Sequence, residues 1–328
     1  MSLAPTSSLT LGRKRYDSHA GAISVELSLL PGINMARVAL PASASVDAGP
    51  GDEASLDVDG GEGAETVITG SVAALKRGLS QIEVIVGDAG SRLAAFRPAQ
   101  TYNQQAGGDV VRSLAEDAGA DVGSIDVTLD LASYVAHQRR TAAEHVAEIV
   151  RLAGGIAMVD ADGRLGAAAV PASPDVALRY GRELERYDVR AVPAPEPRRV
   201  AVGNGPAGSA SAPNALRHSR EPLTAGAPAP GAAARWAPQP VLRTPRATEG
   251  ASRAADGEAA AHALAVEAHC ILLPFLRPGN VVQMADLPDG PAAGPWLVRR
   301  VAHRLDGRGG RTLFHGTVAG SSLLGGFL

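Results

Sequence analysis

The sequence predicts a mainly β protein of the α+β class, in which two β-rich, barrel-like or sandwich-like segments flank a small α/β insert. Three observations predict this. Short stretches before residue 100 and after residue 260 alternate apolar and polar residues with period two, and Gly-rich turns separate them. The stretch from Thr101 to Val170 carries helical periodicity and helix caps instead. Composition agrees: 45% of the 328 residues are hydrophobic but only 3% are aromatic, so the core must be built from Val, Leu, Ile and Ala. The 38 Gly and 23 Pro suit many turns and short strands.

The first β-rich segment spans residues 20–99. Ala22 to Leu29 alternates cleanly and predicts a half-buried strand. Asn34 to Leu40 predicts a second, stopped by Pro41. Ser55 to Val58 and Thr66 to Val72 predict two more around the turn Asp59-Gly60-Gly61-Glu62-Gly63, and Gln81 to Val86 a fifth. In the insert, Asp109 to Ala118 sets Val110, Val111, Leu114 and Ala115 on one helical face, with Gly119 as the C′ residue. Ile125 to Leu129 predicts a short strand. Thr141-Ala142-Ala143-Glu144 has the spacing of a capping box ahead of an apolar stripe ending at Gly154-Gly155. Ile156 to Val159 and Arg164 to Val170 predict a hairpin about Asp160-Ala161-Asp162-Gly163.

The rest is punctuated by Pro. Glu183 to Val192 and Arg198 to Val202 predict strands. Gly203 to Thr248 reads as a long Pro/Ala/Gly-rich excursion, too poor in large apolar side chains to offset chain entropy. Ser252 to Ala268 predicts a helix. His269 to Leu276, Asn280 to Leu287, Pro295 to Arg304 and Arg311 to Val318 predict four strands, the last two joined at Asp306-Gly307-Arg308-Gly309-Gly310.

No constellation of residues in the chain makes a case for an enzyme. Gly203-Asn204-Gly205-Pro206-Ala207-Gly208 has dinucleotide-fingerprint spacing, but the chemistry needs a helix opening at the third Gly, and Ser209 to Pro213 does not start one. Asp160, Asp162 and Gly163 lack the further oxygen ligands of a calcium loop, so a turn explains them better. The histidines (19, 137, 145, 218, 262, 269, 303 and 315) match no zinc motif, although His262 and His269 could share a face of the predicted helix. Glu144 reads as a cap and Glu148 as a solvated helix residue. The lone Cys270 reads as a small buried hydrophobe and excludes an internal disulfide. No catalytic, cofactor-binding or metal-ligating residue is assigned, and no cofactor is expected. A net charge of −3 without a basic block gives no electrostatic footprint for nucleic acid. No apolar run reaches the ~18 residues of a membrane span, and Met1 to Thr10 has no signal-peptide core.

Thr101 to Gln105, then Asp109 to Ala115 with Gly119, Tyr134, Ala153-Gly154-Gly155 and Asp162-Gly163, resemble the phage late-control D family of tail baseplate hub proteins. Leu276 to Val282, Gly294 to Val298 and Val301-Ala302-His303 resemble its closing barrel. The family includes the hub portion of type VI secretion spike proteins and of extracellular contractile injection systems. The resemblance implies a structural protein and not an enzyme. It implies two barrel-like domains, residues 1–100 and 173–328, flanking an insert at 101–172. It also implies a homotrimeric ring between a hexameric tail tube and a trimeric spike, with tube, spike and other baseplate proteins as partners. Assembly in the cytoplasm into a phage tail-like particle is expected. No spike-like extension follows Val318, so the spike is expected on a separate chain. The apolar Leu323 to Leu328 is expected to dock on the spike or a neighbouring subunit. The rival readings are the hub of a non-contractile tail, a tail-associated cell-wall hydrolase, and a nucleotide-dependent enzyme using Gly203 to Gly208.

Overall fold

A computed structural model describes residues 5–17, 20–193, 198–203, 223–224, 234–288 and 294–319. The N-terminal part is antiparallel: β1 (Thr6–Leu11), β2 (Lys14–Asp17), β3 (Ala22–Ser28), β4 (Met35–Pro41), β5 (Glu53–Asp59), β6 (Ala64–Arg77) and β7 (Gln81–Gly87). The middle part mixes α1 (Ala89–Ala95), β8 (Gln100–Ala106), α2 (Gly107–Asp117), β9 (Val122–Ile125), β10 (Asp130–Ala136), α3 (Ala142–Leu152), β11 (Gly155–Val159) and β12 (Leu165–Ala169). Then come β13 (Val176–Arg179), β14 (Leu184–Ala191), β15 (Arg198–Gly203), β16 (Leu223–Thr224), β17 (Ala234–Pro238), α4 (Pro245–Ala261), β18 (Leu264–Ile271), β19 (Val281–Ala285), β20 (Trp296–Asp306) and β21 (Gly309–Val318). The fold is mainly β with α+β character, as the sequence predicts. No described helix is long and apolar enough to cross a membrane.

The two β-rich segments form one sheet. Its path is β14-β18-β21-β20-β3-β4-β7-β6-β5-β1-β2, with β13 and β19 branching from β20. The joint is β20 on β3, antiparallel from Arg300 opposite Ser28 to Asp306 opposite Ala22. Period-two alternation drives each strand to present one apolar face. Leu9, Leu27, Val38, Leu56 and Val84 therefore meet Val266, Trp296, Val301 and Phe314 in a single hydrophobic cluster.

A second cluster belongs to the middle part. Val110, Val111 and Leu114 of α2 pack with Val146, Ile149 and Val150 of α3, and with Tyr134 and Leu165. Leu242, Ala247 and Ala251 join them. The stretch Gly203 to Thr248, expected to be a long excursion or partly ordered loop, is ordered in part. Residues 234–238 form β17, parallel to β15, and α4 begins within the segment. Thr244 caps that helix, its hydroxyl accepting from the Ala247 N–H at 3.2 Å, and Pro245 fills the first turn. β16 and residues 239–244 are also described; residues 204–222, 225–233 and 194–197 lie outside the described residues.

Other boundaries also move. The helix expected over Ser252 to Ala268 ends at Ala261. Leu264, Val266, Ala268 and Cys270 alternate inward on β18, so a strand occupies the stretch. Of the strand expected at Ile125 to Leu129, only Ile125 is in β9, and residues 126–129 fall between β9 and β10. β1, β2, α1, β8, β10 and β13 had no counterpart in the expected elements.

Candidate assembly surface

The described residues offer strand edges and a polar ribbon at the surface. Among the described residues, β2 and β14 each pair with one neighbour and terminate the sheet path. Each carries charge along its length. On β14, Glu185, Arg186, Asp188 and Arg190 are exposed, and Arg186 pairs with Asp188 at 2.9 Å. On β2, Lys14, Arg15 and Asp17 are exposed. Charged edges resist indiscriminate strand pairing while leaving backbone groups available to a matched partner.

The ribbon is β8 with β10. Six of the seven residues of β8 are exposed, Asn103, Gln104 and Gln105 among them; Tyr102 alone turns inward, opposite Tyr134. The stretch that carries the family resemblance is thus a surface of amide donors and acceptors held on a buried tyrosine pair.

Behind the ribbon, the titratable groups serve structure. His145 is buried in α3. Its Nε2–H donates to the His137 carbonyl at 3.1 Å, which leaves Nδ1 to accept from the Tyr134 hydroxyl at 2.7 Å. Burial lowers the His145 pKa, and burial raises that of Tyr134, so both stay neutral. Glu144 closes the capping box: its carboxylate accepts from the Thr141 N–H at 2.7 Å, and the Thr141 hydroxyl accepts from the Glu144 N–H at 3.3 Å. Glu148 is in an ion pair with Arg140 rather than free in solvent.

The other candidates scatter. Asp160 accepts from the Arg164 N–H at 2.9 Å and Asp162 lies 4.0 Å from Arg164 in the β11–β12 turn. Among the described residues, no group of three or more His, Cys, Asp or Glu is placed to hold a metal ion. His262 caps the end of α4 while His269 sits on β18 beside Glu267, so they do not share a helical face. His315 approaches the same Glu267 at 3.6 Å. His303 is buried with Nδ1 3.0 Å from the Thr312 hydroxyl, and burial first, then Arg277, pushes its pKa down to about 3. Cys270 is fully buried and its thiol is pushed up to about 12 by desolvation. Gly203 ends β15; residues 204–208 of the Gly-rich motif, with His19 and His218, lie outside the described residues.

Sequence reading missed Asp88. Its carboxylate caps α1 by accepting from the Gly90 N–H at 2.8 Å and also accepts from the Asn34 amide at 2.6 Å. Desolvation raises its pKa to about 6 against those hydrogen bonds. The signal was the Asp just past the strand expected at Gln81 to Val86, ahead of Ala89 to Ala95.

No family model and no curated protein matches the chain. Solved structures do match. The chain superposes on the tail protein from Neisseria meningitidis with a TM-score of 0.72 at 14% identity, covering 96% of this chain and 97% of that one. It has the fold of a phage tail protein. The 43 kDa tail protein of prophage MuSo2 from Shewanella oneidensis gives 0.68 at 15% identity, covering 95% and 98% of the two chains. An Escherichia coli component of the type VI secretion system, described as structurally similar to the T4 bacteriophage tail proteins gp27 and gp5, gives 0.62 at 8% identity, covering 96% of this chain and 77% of that one. Identities this low carry the fold alone.

Proposed function

We propose that this protein is a structural hub of a phage tail-like particle. The observation that carries the reading is the end-to-end superposition on two tail proteins, each covered almost completely. The local resemblance of Thr101 to Gly163 and Leu276 to His303 to the late-control D family points the same way. In this reading, residues 1–100 and 173–328 supply two barrel-like domains and residues 101–172 the insert. Three copies close into a ring by head-to-tail contacts related by rotation. The ring adapts the hexameric tube of a contractile particle to a trimeric spike carried on another chain, and it is incorporated during assembly in the cytoplasm.

The surface supports it. Charged sheet ends and the amide-rich β8 provide directional, water-compatible contacts that suit partners meeting after each has folded. His145, His303, Cys270, Glu144 and Glu148 are each engaged or buried within the fold, and the reading assigns no catalytic residue and no cofactor. Light scattering on the purified protein tests it: a mass three times that of the chain is expected for the protein alone, or three copies of the chain plus the bound spike once the spike protein is added. A strict monomer in both conditions, or lysis of peptidoglycan in a zymogram, overturns it.

A further inference from the structure

The hairpin that joins β20 to β21 is basic at its tip. Arg304, Arg308 and Arg311 are exposed there, with Asp306 as the one acidic residue among them. Arg304 and Arg311 stand directly opposite each other in the ladder. Like charges at that spacing repel and destabilise a strand pair. Arg300, four residues back on β20 and on the same sheet face, shows the ordinary remedy: it donates to the Glu26 carboxylate of β3 at 2.6 Å. Among the described residues, the guanidinium groups of Arg304, Arg308 and Arg311 have no such partner. The Asp306 carboxylate instead accepts from the Arg308 backbone N–H at 2.7 Å. The tip projects: a Cβ built at Gly307 or Gly309 meets no atom within 4 Å, while Gly310 behind them rests on Leu272.

The opposite charge and the opposite shape lie elsewhere. A cleft of about 380 Å³ runs between β1, β5 and β6 on one side and the middle part of the chain on the other. Glu53 of β5, Asp121 ahead of β9 and Asp162 of the β11–β12 turn line it, and all three are exposed. The carboxylates of Glu53 and Asp121 have no partner among the described residues, and Asp162 lies 4.0 Å from Arg164. Arg92, the cation among the described lining residues, is held by the Gly119 carbonyl, to which it donates at 2.6 Å. Along the sheet, β3, β4, β7 and β6 separate β20 from β5. Among the described residues, no hydrogen bond or ion pair joins the tip to the cleft.

We infer that the β20–β21 tip of one copy docks in this cleft of a second copy. The inference rests on the ring reading above and names the surfaces through which copies meet. A projecting basic tip and an acidic recess on different parts of one chain make a head-to-tail contact, the kind that a rotation closes into a ring. Docking sets Arg304, Arg308 and Arg311 against Glu53, Asp121 and Asp162, and it relieves the repulsion between Arg304 and Arg311 that the single chain bears. Complementary charge of this kind fixes the register of a contact and rejects wrong partners. The expected docking segment Leu323 to Leu328 lies outside the described residues.

Charge reversal in the full chain tests it. Assembly is followed by sedimentation velocity across a dilution series, alone or with the spike protein, in whichever condition the wild type trimerises. One variant carries Arg304→Glu and Arg308→Glu; another carries Glu53→Lys and Asp121→Lys. Each sets like charges face to face, and the concentration for half-assembly is expected to rise about tenfold or more in each. A chain with all four substitutions restores the pairing with the signs exchanged and is expected to assemble within about threefold of the wild-type concentration. Because it carries every substitution, its recovery also shows that neither variant failed by misfolding. Unchanged assembly in either two-residue variant, or no recovery in the combined chain, overturns the proposal and leaves the ring reading standing. A wild type that stays monomeric in both conditions overturns the two together.

Discussion

Two buried groups pull the stability of this protein in opposite directions as pH changes. His303 titrates near 6.5 when unfolded and at about 3 when folded. Between those values the unfolded chain holds the extra proton, so His303 makes stability rise with pH by up to about 1.4 kcal/mol per unit. Asp88 is the reverse. Its value rises from 3.8 to about 6 on folding, so its contribution is fully present below 3.8 and is lost as pH rises through about 6. Denaturant titrations between about pH 4 and pH 6 are therefore expected to show a shallower rise of stability with pH in His303→Asn and a steeper one in Asp88→Asn. Parallel profiles for the two variants would show that neither group carries the assigned shift. Asp88→Ala is expected to cost about 1–3 kcal/mol at neutral pH, since it removes the α1 cap and leaves the Asn34 amide without its acceptor. The cap at Asp88 left a signal in the sequence, but the burial that shifts both groups did not. That burial depends on which strand passes over the side chain, and that information is not local.

At the scale of elements, caps and turns were the most legible features. Thr141 and Glu144 form both halves of the capping box that their spacing predicts. Thr141→Ala is expected to cost about 1 kcal/mol by denaturant unfolding, with Thr141→Ser nearly neutral. The Asp160 to Gly163 turn was also legible, but its docking was not. Gly163 has φ of +81°, and a Cβ there would come within 2.6 Å of the Thr69 carbonyl on β6. Gly163→Ala is therefore expected to destabilise by roughly 1–3 kcal/mol, more than the backbone conformation alone demands. A loss equal to that of an exposed Gly→Ala turn variant would mean the hairpin does not rest on β6. Strands with clean alternation, β3, β5 and β7, were read within a residue or two. β8 was not read as a strand because its one buried residue, Tyr102, leaves no alternation to see. α4 was half read: Thr244-Pro245 is a good start signal, but the surrounding Pro, Ala and Gly hid it, and the alternation from Leu264 was absorbed into a helix.

For the whole molecule, the sequence placed β-rich segments on either side of a mixed one, and the structure shows how they communicate. β20 against β3 makes one sheet and one core of both segments. The middle part takes Leu242, Ala247 and Ala251 from beyond β17 into its own core. Such long-range closure is invisible to periodicity, which reports which face is buried and not against what. A protein built this way presents charged sheet ends and a polar ribbon at its surface, with His145, Glu144 and His303 bonded within the fold. The central claim is that these surfaces meet copies and partners in a tail-like particle. Counting the copies of this chain in purified particles, by mass spectrometry against isotope-labelled standards, tests it most directly. The account predicts three copies per particle; six, one, or none would contradict it.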